Sequence, residues 1–167
     1  MHTLINNDFS NRKAIIRVDF NVPLDENFHV TDSTRIVAAK ESIDYILKHG
    51  GSCVLISHLG RPQGKDLTLS LSHIVKKVSE ILGIPILFCE DCIGPKAEAA
   101  TKELKPGEVI LMENLRFYPE ETTGDVDFAW GLSKLGDFYV NDAFGTAHRA
   151  HASTTIIAQF FDEDKYF

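Results

Sequence analysis

The alternation of short apolar runs with longer segments of helical period is the feature that most constrains the fold of this chain. The apolar runs predict strands at 14–22, 52–57, 85–89, 108–112 and 137–140. The segments between them, at 33–49, 70–82, 95–104 and 126–135, predict helices. Strands joined through helices form parallel sheets that are covered on both faces. We therefore predict an α/β fold of three αβα layers, Rossmann-like, with a mostly parallel sheet.

The size and charge of the chain narrow the class of protein further. With 167 residues, of which 44% are hydrophobic, it is large enough to bury a core, and we expect a single domain over residues 1–167. Its net charge of −7 disfavours general binding to nucleic acid or to an anionic membrane. We find neither a signal peptide's apolar stretch nor a membrane-spanning run, and we expect a cytoplasmic protein.

The cysteines indicate no disulfide scaffold. Three of them, Cys53, Cys89 and Cys92, are too few for such a framework, which fits a reducing compartment. Cys89 and Cys92 form one C-x-x-C pair, but neither a second pair nor suitably spaced histidines accompany it. We interpret all three as structural thiols.

Polar residues alternate with apolar ones in the first predicted strand. Arg17, Asp19 and Asn21 therefore share the side opposite the apolar residues. A buried charge is costly unless it is paired, so we interpret Arg17 as part of an internal salt bridge with Asp19. Asn21 precedes Val22 and Pro23, where the strand is expected to end, and is placed to bind ligand hydroxyls.

Four of the six arginines lie just beyond a predicted strand or at a helix start. They are Arg35, Arg61, Arg116 and Arg149, and His58 shares the loop of Arg61. In parallel α/β sheets, ligands bind beyond the carboxyl ends of the strands. Unpaired arginines brought together in an acidic protein would repel one another. Their convergence therefore predicts a site for a strongly anionic small molecule.

The loop after the last strand, at 140–153, combines small residues with Arg149 and two histidines, His148 and His151. Small side chains let backbone N–H groups approach a ligand, and the arginine offers a planar donor fork for phosphate or carboxylate. Considered alone, the loop fits two interpretations equally well. It either binds an anion or forms a turn whose arginine is solvated. The histidines either add positive potential or pack the loop.

Known nucleotide and metal motifs are absent from the sequence. The segment 60–66 resembles a phosphate-binding loop but is one residue short between its glycines and ends in Asp66. No G-x-G-x-x-G follows a predicted strand. His148 and His151 lack the glutamate and the i,i+4 spacing of a zinc protease site, so we predict no metal site.

Four segments together resemble phosphoglycerate kinase. They are RVDFNVP at 17–23, SHLGRP at 57–62, ENLRF at 113–117 and the loop at 141–153, in the order in which that family carries them. The resemblance implies transfer of the acyl phosphate of 1,3-bisphosphoglycerate to ADP, giving 3-phosphoglycerate and ATP. In the family, the N-terminal domain binds the glycerate, the C-terminal domain binds the magnesium nucleotide, and a hinge closes the two. This chain resembles the N-terminal domain only.

The resemblance also implies roles for individual residues. A glycerate site would be lined by Asp19, Phe20, Asn21, His58, Leu59 and Gly60. The 3-phosphate would be held by Arg61, Arg116 and Arg149, and Arg35 would be the catalytic arginine, with His148 and His151 in a secondary basic patch.

The chain is less than half as long as a full family member. We therefore expect a domain that is incomplete at its C-terminal end, without the nucleotide-binding domain and with no cofactor of its own. Such a chain is expected to bind 3-phosphoglycerate weakly without turnover, and the full-length enzyme to be a monomer. The alternative is a non-catalytic anion-binding or regulatory module on the same fold.

Overall fold

The structure, a computed structural model, describes residues 4–5, 7–143 and 150–167. Its five strands are β1 (Lys13–Val18), β2 (Ser52–Ile56), β3 (Ile86–Cys89), β4 (Val109–Met112) and β5 (Phe138–Asp142). Its α-helices are α1 (Thr34–Lys48), α2 (Val75–Leu82), α3 (Pro95–Lys102), α4 (Glu120–Thr123) and α5 (Val126–Ser133). Short 3-10 helices lie at Leu67–Leu69, Leu71–Ile74, Leu115–Phe117, Ile156–Phe160 and Glu163–Lys165.

The strands form one parallel sheet in the order β3-β4-β2-β1-β5. Strand β1 lies between β2 and β5, with Arg17 paired in register with Ile56 on one side and with Asn141 on the other. Because all five strands run in the same direction, their carboxyl ends meet at one edge of the sheet.

Two hydrophobic cores lie on opposite faces of the sheet. On one face, Ile16 and Val18 of β1 pack with residues of α1 and α2 such as Ile43 and Val78. On the other, Ile15 joins residues of α3 and α5. The predicted three-layer arrangement with helices on both faces is therefore confirmed, and the predicted alternation holds as far as Val18, where the strand ends.

Element boundaries differ from the sequence prediction where side chains replace ladder hydrogen bonds. The first strand ends at Val18, four residues early, because the Phe20 N–H donates to Ser57 Oγ (3.0 Å) and the Val22 N–H donates to the Phe20 carbonyl (2.9 Å). The predicted helix 70–82 begins as a 3-10 turn before α2. Helix α4, only 4 residues long, was not predicted because it is too short to show a period.

Within the described part of the chain, no helix combines the length and the apolar character needed to cross a membrane. Cys53, Cys89 and Cys92 are buried free thiols. Burial raises the pKa of the Cys53 and Cys92 thiols, so both stay protonated near neutral pH.

Candidate functional site

The carboxyl edge of the sheet brings Asp19, Asn21, Arg35 and Gly60 into one hydrogen-bonded group, which we call the Asp19 cluster. Arg35, in the first turn of α1, donates from Nη1 to the Asn21 carbonyl (2.7 Å) and to Asp19 Oδ1 (3.2 Å). The Gly60 N–H donates to Asn21 Oδ1 (2.9 Å). The ends of β1 and β2 and the start of α1, which are distant in sequence, thus form one surface.

Gly60 is required by the shape of the loop after β2. Its φ of +65° lies in the left-handed region, and a Cβ atom there would meet Leu69 Cδ2 at 2.9 Å. The Gly60 carbonyl accepts from Arg116 Nη1 at 3.5 Å. This glycine therefore joins the Asp19 cluster to Arg116 in the loop after β4.

Asn114, fully buried after β4, fixes the same loop. Its Nδ2 donates to the carbonyls of Leu59 (2.8 Å) and Leu69 (2.9 Å), and its Oδ1 accepts from the backbone N–H groups of Leu59 and Arg116. Both ends of the amide are therefore engaged, and the connection after β2 is held against the loop after β4.

Arg17 does not form the predicted salt bridge with Asp19, and that prediction was wrong. Its guanidinium is fully buried and donates to Ser153 Oγ (2.8 Å) and to the Val18 carbonyl (2.5 Å), while Nη2 lies 3.0 Å from His58 Nδ1. The physical reason is the strand's end: once β1 stops at Val18, Asp19 turns away and pairs with Arg35 instead.

Glu121 supplies the charge that compensates Arg17. Its carboxylate is fully buried and accepts from the Ser153 N–H (2.8 Å) and from Ser153 Oγ (2.5 Å). Burial lowers the pKa of Arg17, and the negative charge of Glu121 acts in the opposite direction. The guanidinium and the carboxylate are thus linked through one hydroxyl group, that of Ser153, which lies between the two charges.

His58 is a neutral residue in this setting. It is 4% exposed, and burial, followed by the positive charge of Arg17, lowers its pKa to about 3. Positive charge from Arg116, His151 and Arg35 acts in the same direction. Near neutral pH the imidazole is therefore uncharged and does not add to the positive charge of the site.

Arg61 and Arg116 line an open cleft of about 830 Å³ beside the Asp19 cluster. We call it the arginine cleft. Its described lining is Arg61, Pro62, Gln63, Gly64, Arg116, Tyr118, Pro119, Thr122 and His151, with no carboxylate among them. Arg61 is exposed and forms no ion pair with any carboxylate of the described chain. Two arginines facing a cleft without acidic residues suit a small anion.

Not every predicted site residue presents its side chain to this surface. The side chains of Phe20 and Leu59 are buried, so in this structure they help to shape the site from the core side. Arg149 and His148 lie outside the described residues. His151 follows them, is 8% exposed and borders the arginine cleft.

Sequence reasoning missed four residues that hold the site: Ser57, Asn114, Glu121 and Ser153. Ser57 stands directly after β2 and Asn114 stands two positions after β4, and those positions are a signal by which they could have been found. Glu121 and Ser153 carry no such signal, because a glutamate in a polar turn and a serine in a loop are usually solvated.

The fold and the site together define a parallel α/β domain with a cationic cleft at the carboxyl edge of its sheet. A family model described as Phosphoglycerate kinase matches residues 4–166. The chain belongs to the phosphoglycerate kinase family, as its sequence motifs predicted.

Individual relatives agree with this assignment. The chain is 47% identical to a phosphoglycerate kinase of Porphyromonas gingivalis and 50% identical to a cytosolic phosphoglycerate kinase of Nicotiana tabacum, over 94% and 92% of its own length. The crystal structure of phosphoglycerate kinase from Pyrococcus horikoshii OT3 superposes with a TM-score of 0.87 at 33% identity, covering 96% of this chain. The chain spans 43%, 38% and 41% of these three proteins, respectively.

Proposed function

We propose that this chain is the substrate-binding half of a phosphoglycerate kinase and that its ligand is 3-phosphoglycerate or 1,3-bisphosphoglycerate. The single observation that carries the proposal is the arginine cleft, in which Arg61 and Arg116 lie beside the Asp19 cluster and the described lining contains no acidic residue. A phosphorylated hydroxy acid has matching parts: a phosphate for the arginines, and hydroxyl and carboxyl groups for the cluster.

The Asp19 cluster supports recognition of the glycerate end. Asp19 retains acceptor capacity for a ligand hydroxyl, since a carboxylate can accept more hydrogen bonds than it makes here. Asn21 uses its Oδ1 for Gly60, and its Nδ2 donates to no other described residue. We assign the 3-phosphate to Arg61, Arg116 and Arg149, with His148 and His151 adding a basic patch.

In the proposed reaction, the bond between the acyl oxygen and the phosphorus of 1,3-bisphosphoglycerate breaks, and a bond from a β-phosphate oxygen of ADP to that phosphorus forms. The carboxylate of 3-phosphoglycerate leaves with the electron pair. We assign Arg35 the role of stabilising negative charge on the transferred group, because its guanidinium stands at the start of α1 within the Asp19 cluster. Such an arginine contributes on the order of 10³-fold or more in related chemistry.

The nucleotide and its magnesium ion belong, in this proposal, to the part of the family that the alignment with this chain does not reach. We propose that a C-terminal nucleotide-binding domain is the partner of this one and that the full-length enzyme is a monomer. A cytoplasmic setting is supported by the three buried free thiols.

Isothermal titration calorimetry with 3-phosphoglycerate tests the assigned ligand. Replacing Arg61 or Arg149 with alanine is expected to weaken binding by about 10- to 100-fold, since a hydrogen bond to a charged group contributes about 1.5 to 3 kcal/mol. Arg12→Ala is the matched control, because Arg12 lies at the opposite end of β1 over the Phe138 ring and should leave affinity unchanged. Equal loss in all three variants, or a preference for an unrelated anion, contradicts the proposal.

A coupled enzyme assay tests whether catalysis needs both the substrate-binding and the nucleotide-binding domain. The 167-residue chain alone is expected to give no turnover, because the second substrate would have no binding site and closure over the reacting groups could not exclude water. Adding the C-terminal half of a related phosphoglycerate kinase is expected to produce activity. Turnover by the chain alone would refute this prediction, and absence of activity with both pieces folded would count against the kinase assignment.

A further inference from the structure

A continuous line of buried polar contacts connects helix α4 to the loop after β2. Glu121 accepts from Ser153 Oγ (2.5 Å), Ser153 Oγ accepts from Arg17 Nε (2.8 Å), and Arg17 Nη2 lies 3.0 Å from His58 Nδ1. Arg17, Glu121 and Ser153 are fully buried, and His58 is 4% exposed. We call this line the Glu121 relay.

The chemistry of the four groups fixes the direction of every hydrogen bond in the relay. A guanidinium has only donors, so His58 Nδ1 must accept from Arg17 Nη2. A neutral imidazole that accepts at Nδ1 carries its proton on Nε2. The Ser153 hydroxyl has one hydrogen, which goes to the carboxylate of Glu121, and its lone pair accepts from Arg17. The arrangement therefore permits one proton pattern only.

We propose that Glu121 is a positioning residue that acts through Ser153 and Arg17 to fix His58 as its Nε2–H tautomer, so that the site offers an anionic ligand a hydrogen-bond donor. The inference deepens the proposed function, since His58 belongs to the proposed glycerate site. The protonation of His58 is nevertheless a property of the chain without ligand and is testable by itself.

The relay is important because an imidazole protonated on Nδ1 instead of Nε2 would repel an anionic ligand. With the proton on Nδ1, the imidazole would repel the Arg17 donor and would present the Nε2 lone pair to a carboxylate or phosphate. Arg17 prevents this only while its guanidinium stays in place. Glu121 is the carboxylate that most strongly favours the buried charge of Arg17, and Ser153 sets the distance between them.

Nitrogen NMR of the chain with ¹⁵N-labelled histidine rings tests the proposal without a ligand. The His58 signals, assigned by their loss in His58→Asn, are expected to show an unprotonated Nδ1 and a protonated Nε2 from pH 7.5 down to pH 5. In Ser153→Ala, which removes the bridging hydroxyl, we expect averaged shifts from both tautomers and a pKa of His58 closer to the ordinary value of about 6.5. A protonated Nδ1 in the wild type overturns the proposal.

Thr101→Val is the matched control, because Thr101 also carries a buried hydroxyl, which donates to the carbonyls of Ala97 (3.1 Å) and Glu98 (3.2 Å) and to no member of the relay. It is expected to leave the His58 signals unchanged. Mixed tautomers in Thr101→Val, or a wild-type pattern in folded Ser153→Ala, also overturn the inference.

Should Ser153→Ala fail to fold, the double variant Arg17→Met with Glu121→Gln removes both buried charges together and is expected to mix the His58 tautomers in the same way. A single Nε2–H tautomer in the folded double variant overturns the inference. A calorimetric titration with 3-phosphoglycerate separates the two proposals: absence of binding by the wild type would count against the assigned ligand and leave the tautomer result standing.

Discussion

Glu121→Ala is expected to destabilise the chain by about 3–5 kcal/mol, because it leaves the buried charge of Arg17 without its compensating carboxylate. Two effects add in this variant. The charge of Arg17, which is fully buried, loses its compensating carboxylate. The backbone N–H and the hydroxyl of Ser153 lose the acceptors that they reach at 2.8 and 2.5 Å. We therefore expect one of the largest losses available from a single polar residue of this chain.

Urea unfolding followed by circular dichroism measures this loss. The matched control is Glu80→Ala, which breaks the exposed helical pair of Lys77 and Glu80 (3.3 Å), where the expected change is about 1 kcal/mol or less. Arg17→Met combined with Glu121→Gln should recover part of the loss, because neither charge is then left alone. Equal unfolding free energies for Glu121→Ala and Glu80→Ala would contradict a buried, charge-compensating Glu121.

The second large expected effect is that His58 lowers the stability of the folded chain when the pH is lowered mildly. Burial, and then the charge of Arg17, holds the pKa of His58 at about 3 in the folded chain, against about 6.5 for an ordinary histidine. Between these two pKa values His58 is protonated in the unfolded chain but not in the folded chain, so stability falls as the pH decreases below 6.5. From pH 7 to 4.5 the expected loss from this residue is about 2 to 3 kcal/mol.

Unfolding free energies of wild type and His58→Asn, measured across this pH range, test the effect. The difference between the two curves should grow by about 1.4 kcal/mol per pH unit once the pH is below 6. Thr101→Val is the control, because it removes a buried hydroxyl but no titratable group, and its curve should stay parallel to that of the wild type. Parallel curves for wild type and His58→Asn would mean that His58 takes up its proton equally in both states.

Much of the fold was predictable because strands and helices repeat their apolar residues at short, regular intervals along the sequence. The strand period of two placed Ile16 and Val18 on one face and Arg17 on the other, and the structure has them there. Helix α1, predicted at 33–49, spans Thr34–Lys48, within one residue of the prediction at each end. Such features depend on residues only a few positions apart.

The site was predictable to the extent that strand ends converge. Asp19, Asn21 and Gly60 lie in one hydrogen-bonded group, because parallel strands bring their carboxyl ends to one edge. The hydrogen-bond partners were not predictable in the same way. Arg17 was expected to pair with Asp19, two positions away, but its partner Ser153 lies 136 residues further along the chain. Local spacing holds no information about such a contact.

The sequence by itself determined the α/β class, the approximate strands and helices, the cationic character of one sheet edge, and, through four motifs, the family. Only the tertiary structure decided that β1 lies between β2 and β5, and hence that Arg17 is buried between His58 and Ser153. The reason is physical. Periodicity and charge are properties of neighbouring residues, whereas the burial of Glu121 and the neutral state of His58 depend on which distant segments exclude water from them.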